Sequence, residues 1–404
     1  MKVPELTFDW NTQLKTKMPV VEIFDETLRD GLQSPSITEP TLEQKFELIS
    51  MMNDLGIASA DVGLPASSPK AFQDVFEIAK FVRDQGLKIE LSCAGRTLEN
   101  DILPMAKIQQ QTGVSIMAYC FLGISPIRQL VEDWDLDKIK KTAEDAINFA
   151  HKENLQVAFV TEDTTRSLPS TLEVLFNHVI GLGVRRLVLC DTVGHATPDG
   201  VKALVDFTKD LIKASKEDVK IDWHGHNDRG LALSNSLFAA QNGCHRLHGT
   251  ALGIGERVGN APVDQLLVNL KLLGAYEGDL TALGAYVEKA SLYTKGPKPF
   301  NYPIFGNDAF RTATGVHAAA VIKAQEKGED LADIIYSGVP ASWFGKKQQI
   351  EVGPMSGASN VRYWLKEQGI LATDALVQKI LEFAKKQHTV LSFEQLKTLV
   401  KKGT

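Results

Sequence analysis

Two histidines, His224 and His226, stand two apart in WHGHND. In an extended segment that spacing puts both imidazoles on one face. Such a pair can take adjacent positions on a divalent cation, and one carboxylate completes a set that leaves sites open for substrate and water. The run FDETLRDG packs Asp25, Glu26, Arg29 and Asp30 into six positions. Asp30 is the expected carboxylate ligand; its plain alternative is a loop aspartate that caps the next helix. Arg29 either pairs with Glu22 or Glu26, or is a fixed cation facing charge that develops on an oxygen. Spacing does not separate these. In GTALGIGERVGN, glycines permit close backbone approach and positive-φ turns. Gly253, Gly255, Glu256 and Arg257 could therefore hold a phosphate-bearing cofactor, or the segment could simply turn the chain.

These groups need a frame that brings them together. Between Val20 and about Gly274 a short β-rich apolar run, a polar loop and an amphipathic helix recur. The runs are VVEIF, SADVGL, KIELSC, VSIMAY, LQVAFV, RRLVLC, VKIDWH and HRLHGT. In TLEQKFELISMMNDLG, Leu42, Phe46, Ile49 and Met52 recur at helical spacing and Gly56 supplies the stop. Eight strand–helix alternations predict an α/β chain folded as a closed (β/α)8 TIM barrel. An open doubly wound sheet is second, because it wants a glycine fingerprint after the first strand and DETLRDG is not one. In a barrel of this kind the reaction site lies at the C-terminal ends of the strands. There the sequence puts DETLRDG, TEDTTRS with Glu162 and Asp163, CDTVG with Asp191 and Thr192, WHGHND, and GERVGN with Asn260.

The rhythm breaks at YTKGPKPFNYP, which reads as a linker. Beyond it, 310–328, 360–368, 373–387 and 392–401 read as helices of a small all-α subdomain. The expected organisation is a barrel over 1–290, a linker or lid over 291–330 carrying His317, and a helical subdomain over 331–404. A net charge of −6 argues against a general nucleic-acid binder. The basic cluster near Lys385 and Lys401 reads as a solvated helix face. Cys93, Cys120, Cys190 and Cys244 form no CxxC pair and read as reduced core thiols. No apolar run reaches the roughly 20 residues that cross a bilayer. The N-terminal segment lacks a signal core, so a cytoplasmic protein with no membrane partner is expected.

In order and spacing, DETLRDG, TEDTTRS, HGHNDRGLA and GIGERVGNAP resemble the motifs of the DRE-TIM metallolyase superfamily, across roughly Val20 to Leu270. GIGERVGN looks like its synthase branch, which includes 2-isopropylmalate, homocitrate and citramalate synthases. The lyase branch carries a cysteine in the loop before the asparagine, and here there is none. TGVHAAA and ADIIYSGVP resemble segments of the helical region of 2-isopropylmalate synthases, which puts His317 and Tyr336 on that family's catalytic histidine and tyrosine. AAA departs from their QDG, and YCFLGIS departs from their FIATS. Their C-terminal regulatory domain is missing, which implies either a truncated chain or no feedback control by that route.

The resemblance implies a Claisen condensation of acetyl-CoA, the co-substrate, with a 2-keto acid, followed by thioester hydrolysis. Asp30, His224 and His226 would hold one divalent cation (Mn, Zn, Mg or Co), with Asn260 as a further ligand or neighbour. Thr192 would hold the keto-acid carboxylate and Arg29 would stabilise enolate and alkoxide. His317, assisted by Tyr336, would help remove the acetyl proton. Glu162 would orient substrate or relay protons. Gly253, Gly255, Glu256 and Arg257 would face the CoA. The loops after strands 2 and 4 offer Leu64, Leu122 and Ile124 and no evident cation. That wall favours 2-ketoisovalerate and 2-isopropylmalate synthesis, with pyruvate second and 2-ketoglutarate third. A homodimer in which the lid is exchanged between subunits is expected.

Overall fold

The computed structural model describes residues 6–13 and 18–401. Eight parallel strands close into a barrel in chain order. They are β1 (Glu22–Asp25), β2 (Ser59–Asp61), β3 (Glu90–Arg96), β4 (Ile116–Gly123), β5 (Gln156–Glu162), β6 (Arg186–Asp191), β7 (Lys220–Gly225) and β8 (Arg246–Gly249). Closure comes from β1 against β8, with Glu22 opposite Arg246 and Asp25 opposite Gly249. Every one of the eight apolar runs overlaps its strand. The helices of this unit are α1 (Leu42–Asp54), α2 (Pro69–Asp84), α3 (Glu99–Thr112), the short α4 (Pro126–Glu132), α5 (Leu136–Lys152), α6 (Pro169–Gly181), α7 (Pro198–Ser215), α8 (Ala232–Asn242), α9 (Val263–Leu272) and α10 (Leu283–Thr294).

Local chemistry sets their ends. The Thr41 hydroxyl accepts from the Gln44 backbone N–H, and the Gln44 side chain accepts from Thr41 in return, a capping box that starts α1. Gly56 follows at φ +70° and stops it. Thr197 caps α7, and Pro198 occupies the first turn, where no N–H is needed.

Strand alternation sorts each strand into a lumen face and a helix face. Phe24, Tyr119, Ala158, Val188 and Cys190 pack together in the lumen. Below them lies a chain of charge. The Arg246 guanidinium pairs with Glu22 at 2.6 Å and Glu90 at 3.2 Å, and donates to the Tyr119 hydroxyl at 3.2 Å. Tyr119 donates to Asp222 at 3.2 Å, Arg186 pairs with Asp222 at 2.5 Å, and Asp222 lies 3.3 Å from Nε2 of His248. All four cysteines are buried and unpaired.

The chain divides into two compact units. The barrel unit is Lys15–Pro297; the other joins Met1–Leu14 to Lys298–Thr404. The second unit holds α11 (Gly315–Gln325), α12 (Glu329–Ile335), α13 (Ala358–Glu367), α14 (Asp374–Lys385) and α15 (Phe393–Lys401). Its main core is built from Val361, Leu365, Val377, Ile380, Ala384 and their neighbours. One expected helix starts later than its pattern suggested. Arg311–Thr312, here β9, pairs in parallel with Gln349–Ile350, here β10, so the helix begins only at Gly315. Among the described residues no helix is long and apolar enough to cross a membrane.

Candidate active site

A cavity of about 310 Å³ opens among the C-terminal ends of the strands. Its polar wall comes from the β1 loop, β7 and β8: Glu26, Arg29, Asp30, His224, His226 and His248. Its apolar wall runs across β2 to β6: Leu64, Ala94, Phe121, Val160 and Val188. Glu162, Thr192 and Glu256 stand among them.

Asp30 does not serve as a helix cap, since its side chain makes no capping hydrogen bond to the turn that follows. Instead its Oδ2 lies 3.4 Å from Nε2 of His224 and 3.8 Å from Nε2 of His226. The three ligand atoms lie within 4.8 Å of one another. Asn260 is bridged to His226 through the backbone. Its Nδ2 donates to the Ile254 carbonyl, and its buried Oδ1 has no partner. Burial, with His224 beside it, pushes His226 down to about 4, so its ring is neutral at pH 7. Two imidazoles, a carboxylate and an unused amide oxygen fit a divalent cation.

Arg29 pairs with Glu26 rather than Glu22. Its Nη2 donates to Glu26 Oε1 at 2.6 Å and its Nε to Asp61 Oδ2 at 2.7 Å, with Asp30 at 3.6 Å from Nη1. Burial alone would weaken its charge, but Asp61, Asp30 and Glu26 together hold the guanidinium protonated. Burial pushes Asp61 up to about 6 even with Arg29 against it. Glu26 also meets Nδ1 of His224 at 2.6 Å and Nδ1 of His248 at 3.4 Å. Burial would raise the Glu26 carboxyl, but His224, His248 and Arg29 outweigh it and hold it well below the usual range.

The wall also corrects several expectations. Leu64 faces the cavity, but Leu122 and Ile124 are buried outside it. Phe121 takes that place because alternate residues of β4 point inward, and Tyr119 and Phe121 share the inward parity. Glu256 lines the cavity, whereas Gly253, Gly255 and Arg257 do not. The glycines serve the turn. A side chain at Gly259, whose φ is +87°, would overlap the Gly253 carbonyl, and one at Gly255 would overlap Asn260. Arg257 is engaged by Asp228 at 2.9 Å and by the Thr192 carbonyl at 2.6 Å. The Thr192 hydroxyl accepts from the Asp163 N–H at 2.8 Å. Glu162 lies 3.7 Å from Nε of Arg128, and that nitrogen is buried without a hydrogen-bond partner. In the second unit, His317 and Tyr336 stack with ring centroids 4.3 Å apart.

Reading from sequence missed Glu26 as a hub, and missed Asp61, His248, Tyr119 and Phe121. A signal existed for His248: it shares strand parity with Arg246, as His226 does with His224.

The HMGL-like family profile matches residues 20–286. The chain is 31% identical over 392 residues to the homocitrate synthase AksA of Methanothermobacter thermautotrophicus, covering 93% of this chain and 92% of that one. It is 29% identical over 381 residues to the homocitrate synthase of Sulfolobus acidocaldarius, covering 94% and 78%. Among solved structures, the HMG-CoA lyase of Bacillus subtilis superposes with a TM-score of 0.58 at 20% identity, covering 70% of this chain and 96% of that one, a likeness of fold. With the profile covering the whole barrel and a relative aligned along nearly the full chain, the protein belongs to the HMGL-like family and is an enzyme of the acyltransferase class.

Proposed function

We propose that this enzyme condenses acetyl-CoA with a 2-oxo acid and hydrolyses the thioester so formed, releasing CoA. The observation that carries this reading is one cavity in which Asp30, His224 and His226 converge beside a partly buried Arg29 whose charge three carboxylates hold in place. A divalent cation held by those three residues, with Asn260 alongside, would polarise the acceptor carbonyl as a Lewis acid. Arg29 faces the oxygens on which negative charge grows. Thr192 offers its hydroxyl to the acceptor carboxylate, and Glu162 orients substrate or passes a proton. His317 and Tyr336 are the proton-removing pair. The acetyl methyl is a weak acid, so base placement and enolate stabilisation must act together.

The names of the relatives favour a homocitrate-type reaction, with 2-ketoglutarate as acceptor, over the 2-isopropylmalate synthesis expected from the loops. Arg128 is the cation beside Glu162; it lies outside the cavity wall and pairs with Glu132 at 3.2 Å, so it would serve a distal carboxylate by exchanging Glu132 and Glu162 for it. The wall of Leu64, Ala94, Phe121, Val160 and Val188 supports a second reading, an aliphatic acceptor such as 2-ketoisovalerate. A panel of 2-ketoglutarate, 2-ketoisovalerate and pyruvate with acetyl-CoA, following free thiol with and without chelator, tests both. CoA release with 2-ketoglutarate should exceed the others and stop on metal removal. Arg128→Gln should lower kcat/KM for 2-ketoglutarate by about tenfold or more, the worth of a charge-assisted contact, and leave pyruvate unchanged. Full activity of a metal-free preparation would sink the whole reading. A preference for 2-ketoisovalerate would move the acceptor to the aliphatic one.

A further inference from the structure

Glu26 is buried, hydrogen-bonds to His224 and Arg29, and stands within ion-pair distance of His248. Oε2 meets Nδ1 of His224 on β7 at 2.6 Å. Oε1 meets Nη2 of Arg29 at 2.6 Å and stands 3.4 Å from Nδ1 of His248 on β8. An ionised carboxylate can only accept, so Nδ1 of His224 must carry the proton that fills the 2.6 Å contact. Nε2 is then the ring nitrogen left to bind a metal, and it is Nε2 that faces Asp30 at 3.4 Å. The same carboxylate fixes one arm of the Arg29 fork, while Asp61 fixes another at 2.7 Å. His248 closes the third side and is itself backed by Asp222 at 3.3 Å.

Glu26, His224 and His248 also form a second group whose side chains could hold a metal. A cation there would have to displace the proton from the 2.6 Å contact, and it would sit beside the guanidinium of Arg29. The set is better filled by protons than by metal.

We propose that Glu26 is a positioning residue that presents Nε2 of His224 to the metal and, through its other oxygen, ties that ligand to Arg29. Ligand and oxyanion-stabilising cation are thus set by one carboxylate. The inference rests on the metal site proposed above.

The test is metal affinity, which needs no substrate. Co²⁺ is titrated into chelator-treated enzyme and followed by its visible absorption. Glu26→Gln keeps the shape but can turn its amide N–H₂ toward either histidine or arginine. It should weaken Co²⁺ binding by about 10–100-fold, the usual effect of losing the group that orients a ligating histidine. It should also lower kcat at saturating metal, with KM for the 2-oxo acid changed much less. Glu26→Asp keeps the buried charge but withdraws it by one methylene; it guards against a folding defect in the glutamine variant and should weaken Co²⁺ in the same direction. Affinities within about threefold of wild type in a folded variant would overturn the proposal, whatever happens to kcat. If wild-type enzyme binds no Co²⁺ at all, the metal reading fails, and this is a different outcome from failure of the Glu26 inference.

Discussion

Arg29 owes its value to geometry as much as charge. Its fork reaches Asp61 and Glu26 at 2.7 and 2.6 Å from separate nitrogens, so the guanidinium plane is fixed before substrate arrives. Lysine keeps the charge as a point on one rotatable nitrogen and loses the planar fork that fixes its direction between the two carboxylates. Arg29→Lys should therefore lower kcat by about 10²–10³, as loss of a preorganised oxyanion donor does. KM for either substrate should move only slightly; a raised KM with kcat intact would make Arg29 a binding residue only. His224, His226 and Asp30 were legible in sequence because strand parity and one acidic loop suffice to bring them together. Glu26, Asp61 and His248 were not, because their roles arise from contacts between β1, β2, β7 and β8 that no local pattern records.

At the scale of the element, β4 shows where pattern reading stops. YCFLGIS is apolar on both faces of the strand, because one face meets the lumen and the other the helices. With no polar–apolar alternation the inward parity cannot be read, and the expected wall fell on Leu122 instead of Phe121. The two side chains should separate cleanly. Phe121→Ala should change the order of preference among 2-oxo acids. Leu122→Ala should leave that order intact and cost about 2–5 kcal/mol of stability, measured by denaturant unfolding. The strand β1 and helix α10 meet through another buried group. Asp25 accepts from the Thr27 N–H at 2.8 Å and from the Tyr286 hydroxyl at 2.6 Å, and burial pushes its carboxyl up to about 6. The folded state holds this proton more tightly than the unfolded one. The stability so gained is full below about pH 4 and is lost as pH rises through about 6. Asp25→Asn should gain on wild type across that window, by roughly 1.4 kcal/mol per pH unit. A pH-independent difference in unfolding free energy would show that Asp25 stays ionised.

At the scale of the molecule, the two units carry separate cores, and the proposed chemistry draws on both. The barrel unit holds the metal ligands and Arg29; the other holds the stacked His317 and Tyr336. A chain ending at Pro297 should fold, bind a divalent cation and 2-oxo acid, and release no CoA. Near-wild-type turnover by that chain would remove His317 and Tyr336 from the mechanism. The barrel frame was open to sequence reading because eight apolar runs repeat at regular intervals; the β9–β10 ladder was not, because each strand has only two residues. The barrel's lumen has a consequence for how this protein can change. From Arg246 through Tyr119, Asp222, His248 and Glu26 to His224, each buried group meets the next by a hydrogen bond or an ion pair. Removing one member leaves its neighbour uncompensated in a dry interior, a loss of roughly 3–5 kcal/mol. Replacing two together can cost far less. In a random library the axis should thus look nearly immutable one position at a time, yet tolerate matched pairs. It is a zone of strong epistasis, where the route between two workable sequences passes through broken intermediates.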